Sequence, residues 1–224
     1  MMPRPRLVIF DVDGTLVDSQ HTIVAAMQNA FSSLDQPLPD RDAVLSIVGL
    51  SLDHAIRQLV PDAEQDTVAA LVEAYKAAFM TERKGNRDYA PLYPGAADVL
   101  TYLSEHPETL IGIATGKSRR GLLHMLDTHD LHGRFVTVQT ADDHPSKPNP
   151  SMIHTAMAEA GVDTDDTVMI GDTSFDIHMA RNAGVHAIGV SWGYHDLSDM
   201  GADHLLQHFN ELPGTLEKIW GVSE

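Results

Sequence analysis

Short unbroken apolar runs alternate along this chain with longer stretches whose apolar residues recur every three or four positions. The runs cover 7–10, 110–114, 135–138, 167–170 and 186–190, with a short sixth over 202–206. A run that is apolar at most positions, with β-branched residues among them, predicts a strand buried on both faces. The helical patterns between the runs, over about 95–105, 118–128, 149–160 and 174–183, predict the layers that cover them. The expected fold is α/β: a Rossmann-like parallel sheet core with helices on both faces. Right-handed crossovers place every strand's C-terminal end at one edge, where open α/β sheets bind ligands.

Residues 19 to 83 break this alternation and contain no strand pattern. Ser19 reads as the cap of a helix carrying Ile23, Ala26, Met27, Ala30 and Leu34, which Pro37 and Pro39 end. Asp40 reads as the cap of a second helix through Val48, and Ser51 of a third through Val60. After Pro61-Asp62 a long helix runs from about 63 to 83, with Val68, Leu71, Val72, Tyr75 and Phe79 at helical spacing. Residues 84–88, Lys-Gly-Asn-Arg-Asp, read as a polar linker. The expected organisation is a core of residues 1–17 and 88–224, with an all-helical insert over 18–87 placed directly after the first strand.

Composition narrows what such a fold does. With 224 residues, 43% hydrophobic and 21% charged, the chain resembles a folded globular protein, not a disordered one or a coiled coil. No apolar run approaches the ~20 residues that span a bilayer. Asp11 ends the N-terminal run before it is long enough for a signal-peptide core. There are no cysteines, which removes disulfides, thiolate metal sites and a cysteine nucleophile, and fits a cytoplasmic protein. Fifteen basic residues against 32 acidic ones give a net charge of −17. That field disfavours nucleic acid and anionic membranes as partners. A small anionic substrate would bind only where a local positive charge or a metal ion answers it. Nothing in the sequence sets the oligomeric state.

The candidate chemistry gathers at the predicted strand ends. The first strand runs into Asp11-Val12-Asp13-Gly14-Thr15-Leu16, the second into Thr115-Gly116-Lys117, and the fourth into Gly171-Asp172-Thr173-Ser174-Phe175-Asp176. Lys147-Pro148-Asn149-Pro150 precedes a helix. In a parallel sheet four carboxylates, a hydroxyl and a lysine would then converge. Clustered carboxylates raise one another's pKa and do not all stay ionised without a cation. Hard oxygen ligands with no cysteine and no obvious histidine select Mg²⁺. Lys117, Arg119 and Arg120 read equally as steering charges or as surface charge at a helix start. His124, His129 and His132 lack the i, i+4 spacing of a helical metal site. A Mg²⁺ on Asp11 and Asp172, with Lys147 and Thr115 on phosphate oxygens, is equipment for phosphoryl transfer. One aspartate would attack phosphorus and a second would move the proton.

In this order, the segment at 11–16, the strand-end Thr115, Lys-Pro-x-Pro at 147–150 and Gly-Asp-Thr-x-x-Asp at 171–176 resemble the four motifs of the haloacid dehalogenase superfamily. Residues 179–184 and 189–194 resemble its phosphoglycolate phosphatase-like branch, and the insert is similar to the helical cap of C1-capped members. The resemblance covers roughly residues 7–195. It implies a Mg²⁺-dependent phosphatase of small phosphate esters, phosphoglycolate first, working through an aspartyl-phosphate. It implies that Asp11 is nucleophile and metal ligand. Asp13 would be the acid/base, with its backbone carbonyl on the metal. Asp172 would ligate directly and Asp176 would support it. Thr115, beside Gly116, would hold the phosphoryl group, Lys147 would neutralise charge, and Thr15 would orient the loop. The Gly49-Leu50-Ser51 turn, otherwise a plain helix–helix turn, would be a specificity loop over the site.

Asp13 disfavours dehalogenases and phosphonatases, which lack an acid there. A pyrophosphatase, a β-phosphoglucomutase-type mutase and a non-catalytic binding module are the alternatives. The intact set Asp11, Asp13, Lys147 and Asp172 argues against the last.

Overall fold

A computed structural model of the chain describes residues 4–85 and 90–221, the side chains of 82–85 excepted. Six parallel strands form one sheet: β1 (Arg6–Phe10), β2 (Thr109–Thr115), β3 (Thr137–Thr140), β4 (Thr167–Gly171), β5 (His186–Val190) and β6 (His204–Leu206). Their spatial order is β3-β2-β1-β4-β5-β6. The order reverses at β1, the switch point where such sheets open a crevice. Leu7 to Phe10 in β1 are wholly buried, and alternate residues serve opposite faces. Val8 and Phe10 pack under α5 (Ala96–Ser104), α6 (Arg119–Thr128) and α9 (Leu212–Trp220). Leu7 and Ile9 pack under α7 (Ser151–Ala160) and α8 (Ser174–Ala183). Each such side chain contributes about 1.5–3 kcal/mol of burial, so the central strand tolerates no polar substitution on either face.

Two strands and one helix depart most from the sequence reading. The third strand lies two residues further on than 135–138, because its edge position leaves Val136 exposed while polar residues fill the buried end. Gln139 is buried there by hydrogen bonds to the Thr137 hydroxyl and the Glu159 carboxylate, both at 2.8 Å. The last strand is shorter than 202–206. The C-terminal helix α9, with Leu212 and Leu216 turned inward, has no counterpart in that reading.

The insert comprises α1 (Gln20–Ser33), α2 (Arg41–Ser46), α3 (Leu52–Leu59) and α4 (Gln65–Gly85). It has its own apolar centre, in which Ile23, Met27 and Phe31 of α1 meet Val68 and Leu71 of α4. Asp40 caps α2 through a 2.7 Å bond from Ala43 N–H. Ser19 and Ser51 stand at cap positions, but their hydroxyls bond elsewhere. The helix α4 runs through Lys84 and Gly85, which were expected in a linker. The rest of that linker, 86–88, and the expected boundary at 87/88 lie outside the described residues. On the other side, Val17 bridges Leu92, Asp18 N–H donates to Pro91 carbonyl at 2.8 Å, and Tyr93 N–H donates to Leu16 carbonyl at 2.9 Å. The chain therefore leaves the core beside the segment that re-enters it. No helix among the described residues is long and apolar enough to cross a membrane.

Candidate active site

The edge formed by the C-terminal ends of β2, β1 and β4 collects the charged residues. Asp11 directly follows β1 and still takes part in the sheet through its N–H to Ile170 carbonyl, 2.9 Å. Gly14 then turns the chain at φ +83°. A side chain at Gly14 would place its Cβ 2.1 Å from the Asp172 carboxylate, and one at Gly193 would come equally close to Asp172 Cβ. A Cβ at Gly171 would lie 2.3 Å from Asp176. These glycines let backbone press against buried carboxylates.

Asp11, Asp172 and Asp176 are the only cluster among the described residues whose ligand atoms come close enough, within 4.8 Å of one another, to hold a metal ion. All three are buried, as is Lys147. The Lys147 ammonium donates to Asp176 Oδ1 at 2.6 Å and stands 3.0 Å from Asp11 Oδ1. That second contact is an ion pair without hydrogen-bond alignment, so neither Asp11 oxygen has a hydrogen-bond partner. Asp172 is held by the Thr15 hydroxyl at 2.9 Å and by Tyr194 N–H at 2.9 Å. Asp176 also accepts from Thr173 N–H and hydroxyl, at 3.1 and 2.7 Å, closing the capping box of α8.

The electrostatics follow from burial. Burial pushes the Asp11 carboxyl up to about 7, against the pull of Lys147, and Asp176 and Asp13 push it further. Burial, then Asp176 and Asp11, raise Asp172 well above the carboxylate range. Burial alone would lower the Lys147 ammonium, but Asp11 and Asp176 outweigh it and hold it charged. Fully ionised, the three carboxylates against one ammonium would carry two negative charges, which one divalent cation would balance. The Asp11 oxygens without hydrogen-bond partners, the all-oxygen donor set and that charge fit a hard divalent cation such as Mg²⁺.

Asp13 lies apart from this cluster. Lys117 donates to its two oxygens at 2.6 and 2.7 Å, and the Ser19 hydroxyl donates to Oδ1 at 2.5 Å. Its side chain therefore stands outside the three-carboxylate cluster. Lys117 was ambiguous in the sequence, because a lysine at a helix start reads as surface charge. In the fold it is a partly buried neighbour of Asp13, 5.5 Å from the Phe79 ring centre. Ser19 and Tyr194 were also missed as site residues. The Tyr194 hydroxyl lies 3.1 Å from Ser19 N–H and ties the two motifs together. Thr115 is buried at the end of β2, where its hydroxyl accepts from Lys117 N–H at 3.2 Å.

The insert closes over this edge. Ser51 N–H donates to the Ser146 hydroxyl at 2.9 Å. Gly116 has room for no side chain, since a Cβ there would lie 2.5 Å from Gly49 carbonyl. His195 spans the two parts, with Nε2 3.1 Å from Ser46 carbonyl and Nδ1 accepting from Ser174 N–H at 3.2 Å. Burial lowers the His195 pKa, which favours the neutral ring that this acceptance needs. Between edge and insert lies a cavity of about 740 Å³, lined by Asp11, Asp13, Thr115 and Lys117 on one side and by the insert on the other.

Comparison with known proteins agrees with this geometry. The family model described as haloacid dehalogenase-like hydrolase matches residues 8–190. "Probable phosphatase IndB" of Dickeya dadantii is 36% identical, over 97% of this chain and 96% of its own. The phosphoglycolate phosphatase of Pseudomonas putida is 30% identical, over 98% of this chain and 83% of its own. A hydrolase from Pseudomonas syringae, known from its crystal structure, superposes with a TM-score of 0.84 at 24% identity, over 96% and 99% of the two chains. That last likeness speaks for the fold alone.

Proposed function

This chain belongs to the haloacid dehalogenase-like hydrolases, and from that premise we propose that it is a Mg²⁺-dependent phosphatase of a small phosphorylated metabolite. The observation that carries the reading is the buried Asp11 carboxyl at a cavity floor, ion-paired to Lys147 but without a hydrogen-bond partner, with ligand atoms of Asp172 and Asp176 within 4.8 Å. Relatives named phosphatase and phosphoglycolate phosphatase support it.

In this proposal Asp11 and Asp172 hold the metal, with the backbone carbonyl of Asp13 as a further ligand. Bound Mg²⁺ neutralises charge on the phosphate oxygens. Lys147 and Thr115 orient the phosphoryl group, and Gly116 lets the Gly49–Leu50 backbone of the insert approach beside it. An Asp11 oxygen forms a bond to phosphorus as the ester P–O bond breaks, and the departing alkoxide takes the proton of Asp13. Water then attacks the aspartyl-phosphate, gives its proton to Asp13, and releases inorganic phosphate with Asp11 restored. Ser19 and Lys117 hydrogen-bond the Asp13 side chain and fix its position. Asp176 and Thr15 act through others, the first on Lys147 and the second on Asp172.

Hydrolysis is favoured over a phosphosugar mutase by the Gly49–Ser51 turn. A mutase that turns a bisphosphate around in its site needs a cation there for the second phosphate, and this turn offers none. Of the insert's described cations, Arg57 pairs with Asp53 at 3.0 Å and Lys76 with Glu73 at 2.7 Å. The test is phosphate release from phosphoglycolate and other monophosphates, run beside isomerisation of β-glucose 1-phosphate with catalytic bisphosphate. Phosphate release is expected to dominate. Faster isomerisation overturns the hydrolase reading.

A further inference from the structure

The insert's side of the cavity carries little charge. Most of its wall is formed by Ile23 and Met27 of α1, Val48 before the turn, and Val72, Tyr75 and Phe79 of α4, with Asp53, His54 and Lys76 beside them. Tyr75 and Phe79 stand with ring centres 5.8 Å apart and planes tilted by 33°, making one aromatic surface. The cavity of about 740 Å³ has space for about two dozen waters at ~30 Å³ each. The glycolate part of phosphoglycolate has five heavy atoms and would leave most of it wet.

The charges at the rim do not suit a carboxylate either. Lys117 is engaged by Asp13, and Lys76 by Glu73. Arg120 is exposed at the mouth, where Asp53 and Asp142 also line the cavity. A leaving group bearing a carboxylate would therefore give up its hydration to face an apolar wall, an unfavourable exchange. A leaving group bearing an apolar ring would gain by the same exchange.

Resting on the phosphatase reading above, we infer that the substrate is the phosphate monoester of an alcohol carrying an apolar, ring-sized body, seated against Val72, Tyr75 and Phe79. Glycolate is then a poor leaving group for this site, whatever the relatives hydrolyse. The wall selects by fit: each added apolar group that finds a place in such a pocket is worth ~10-fold or more in kcat/KM.

The experiment compares 2-phenylethyl phosphate with ethyl phosphate and phosphoglycolate, using the purified full chain with Mg²⁺. The first two esters leave as similar alcohols, so their ratio reports the wall and not bond reactivity. The expected kcat/KM for the phenylethyl ester is at least ~100-fold that of ethyl phosphate, with phosphoglycolate below both. Phe79→Ala and Val72→Asp should each reduce that ratio by ~10-fold. The wild-type ratio decides even if a variant fails to fold. A ratio near one, or a preference for phosphoglycolate, overturns the inference and leaves the phosphatase reading standing. No phosphate release from any ester, p-nitrophenyl phosphate included, by folded protein overturns both.

Discussion

The sheet edge and the helical insert face each other across one cavity and present opposite surfaces. At the edge, Asp11, Asp172, Asp176 and Lys147 are buried, the last three with oriented hydrogen bonds and Asp11 with only the Lys147 ion pair, and glycines at 14, 171 and 193 shape the backbone around them. On the insert, Val72, Tyr75 and Phe79 are half-buried and continue the stripe that packs the insert's own centre. In the proposed reaction the edge works by holding unfavourable charge in fixed positions, which a bound cation would make useful. The insert gains its function from area and shape, which many side chains supply. Substitutions at the edge should therefore change turnover by orders of magnitude, and substitutions on the wall should change the choice of substrate.

Asp11→Asn should produce the largest effect. Removing a nucleophile leaves only binding and electrostatics, so kcat for p-nitrophenyl phosphate should fall by at least ~10⁴-fold. Retention of near wild-type turnover would break the contrast at its root. Asp13→Asn should cost ~10²–10⁴-fold in kcat, the usual worth of a positioned acid/base. Lys117→Met comes next: it leaves the Asp13 carboxylate unpaired beside the incoming phosphate. A charged hydrogen bond of about 1.5–3 kcal/mol corresponds to ~10–100-fold in kcat/KM.

The smallest effect is on stability, and its sign is opposite to that on activity. In metal-free buffer Asp172→Asn should raise Tm by about 2–4 °C, because it removes a buried carboxyl whose raised pKa costs stability at neutral pH, a gain of about 1 kcal/mol. Saturating Mg²⁺ should raise the Tm of the wild type and have little effect on the variant. Thermal scans with and without Mg²⁺ check this, and a variant less stable than wild type in metal-free buffer would remove the charge argument.

The two regions also differed in how far they could be read from sequence. Asp11, Lys147 and Asp172 were legible because each ends or follows a strand in a fixed local pattern, and parallel strands bring such ends together. Lys117 was not, since only the fold shows that its ammonium turns toward Asp13 and not toward solvent. Ser19 was read as a helix cap, and its hydroxyl bonds Asp13 instead. On α4, helical spacing placed Val68, Leu71, Val72, Tyr75 and Phe79 on one stripe. It could not divide them into Val68 and Leu71, which fill the insert's centre, and the three that line the cavity. Periodicity reports that a face is covered, not whether protein or substrate covers it. The third strand was misplaced for a related reason, because hydrogen bonds bury Gln139 where hydrophobicity would not.

The central claim is that Asp11 carries the phosphoryl group during turnover, and trapping that group tests it most directly. Protein turning over p-nitrophenyl phosphate with Mg²⁺ is quenched in acid, digested and examined by mass spectrometry. One phosphoryl group on the Asp11 side chain is expected, absent when Mg²⁺ is chelated and absent in Asp11→Asn. Turnover with the phosphoryl group on another residue, or with none on Asp11 at any time, would contradict the account.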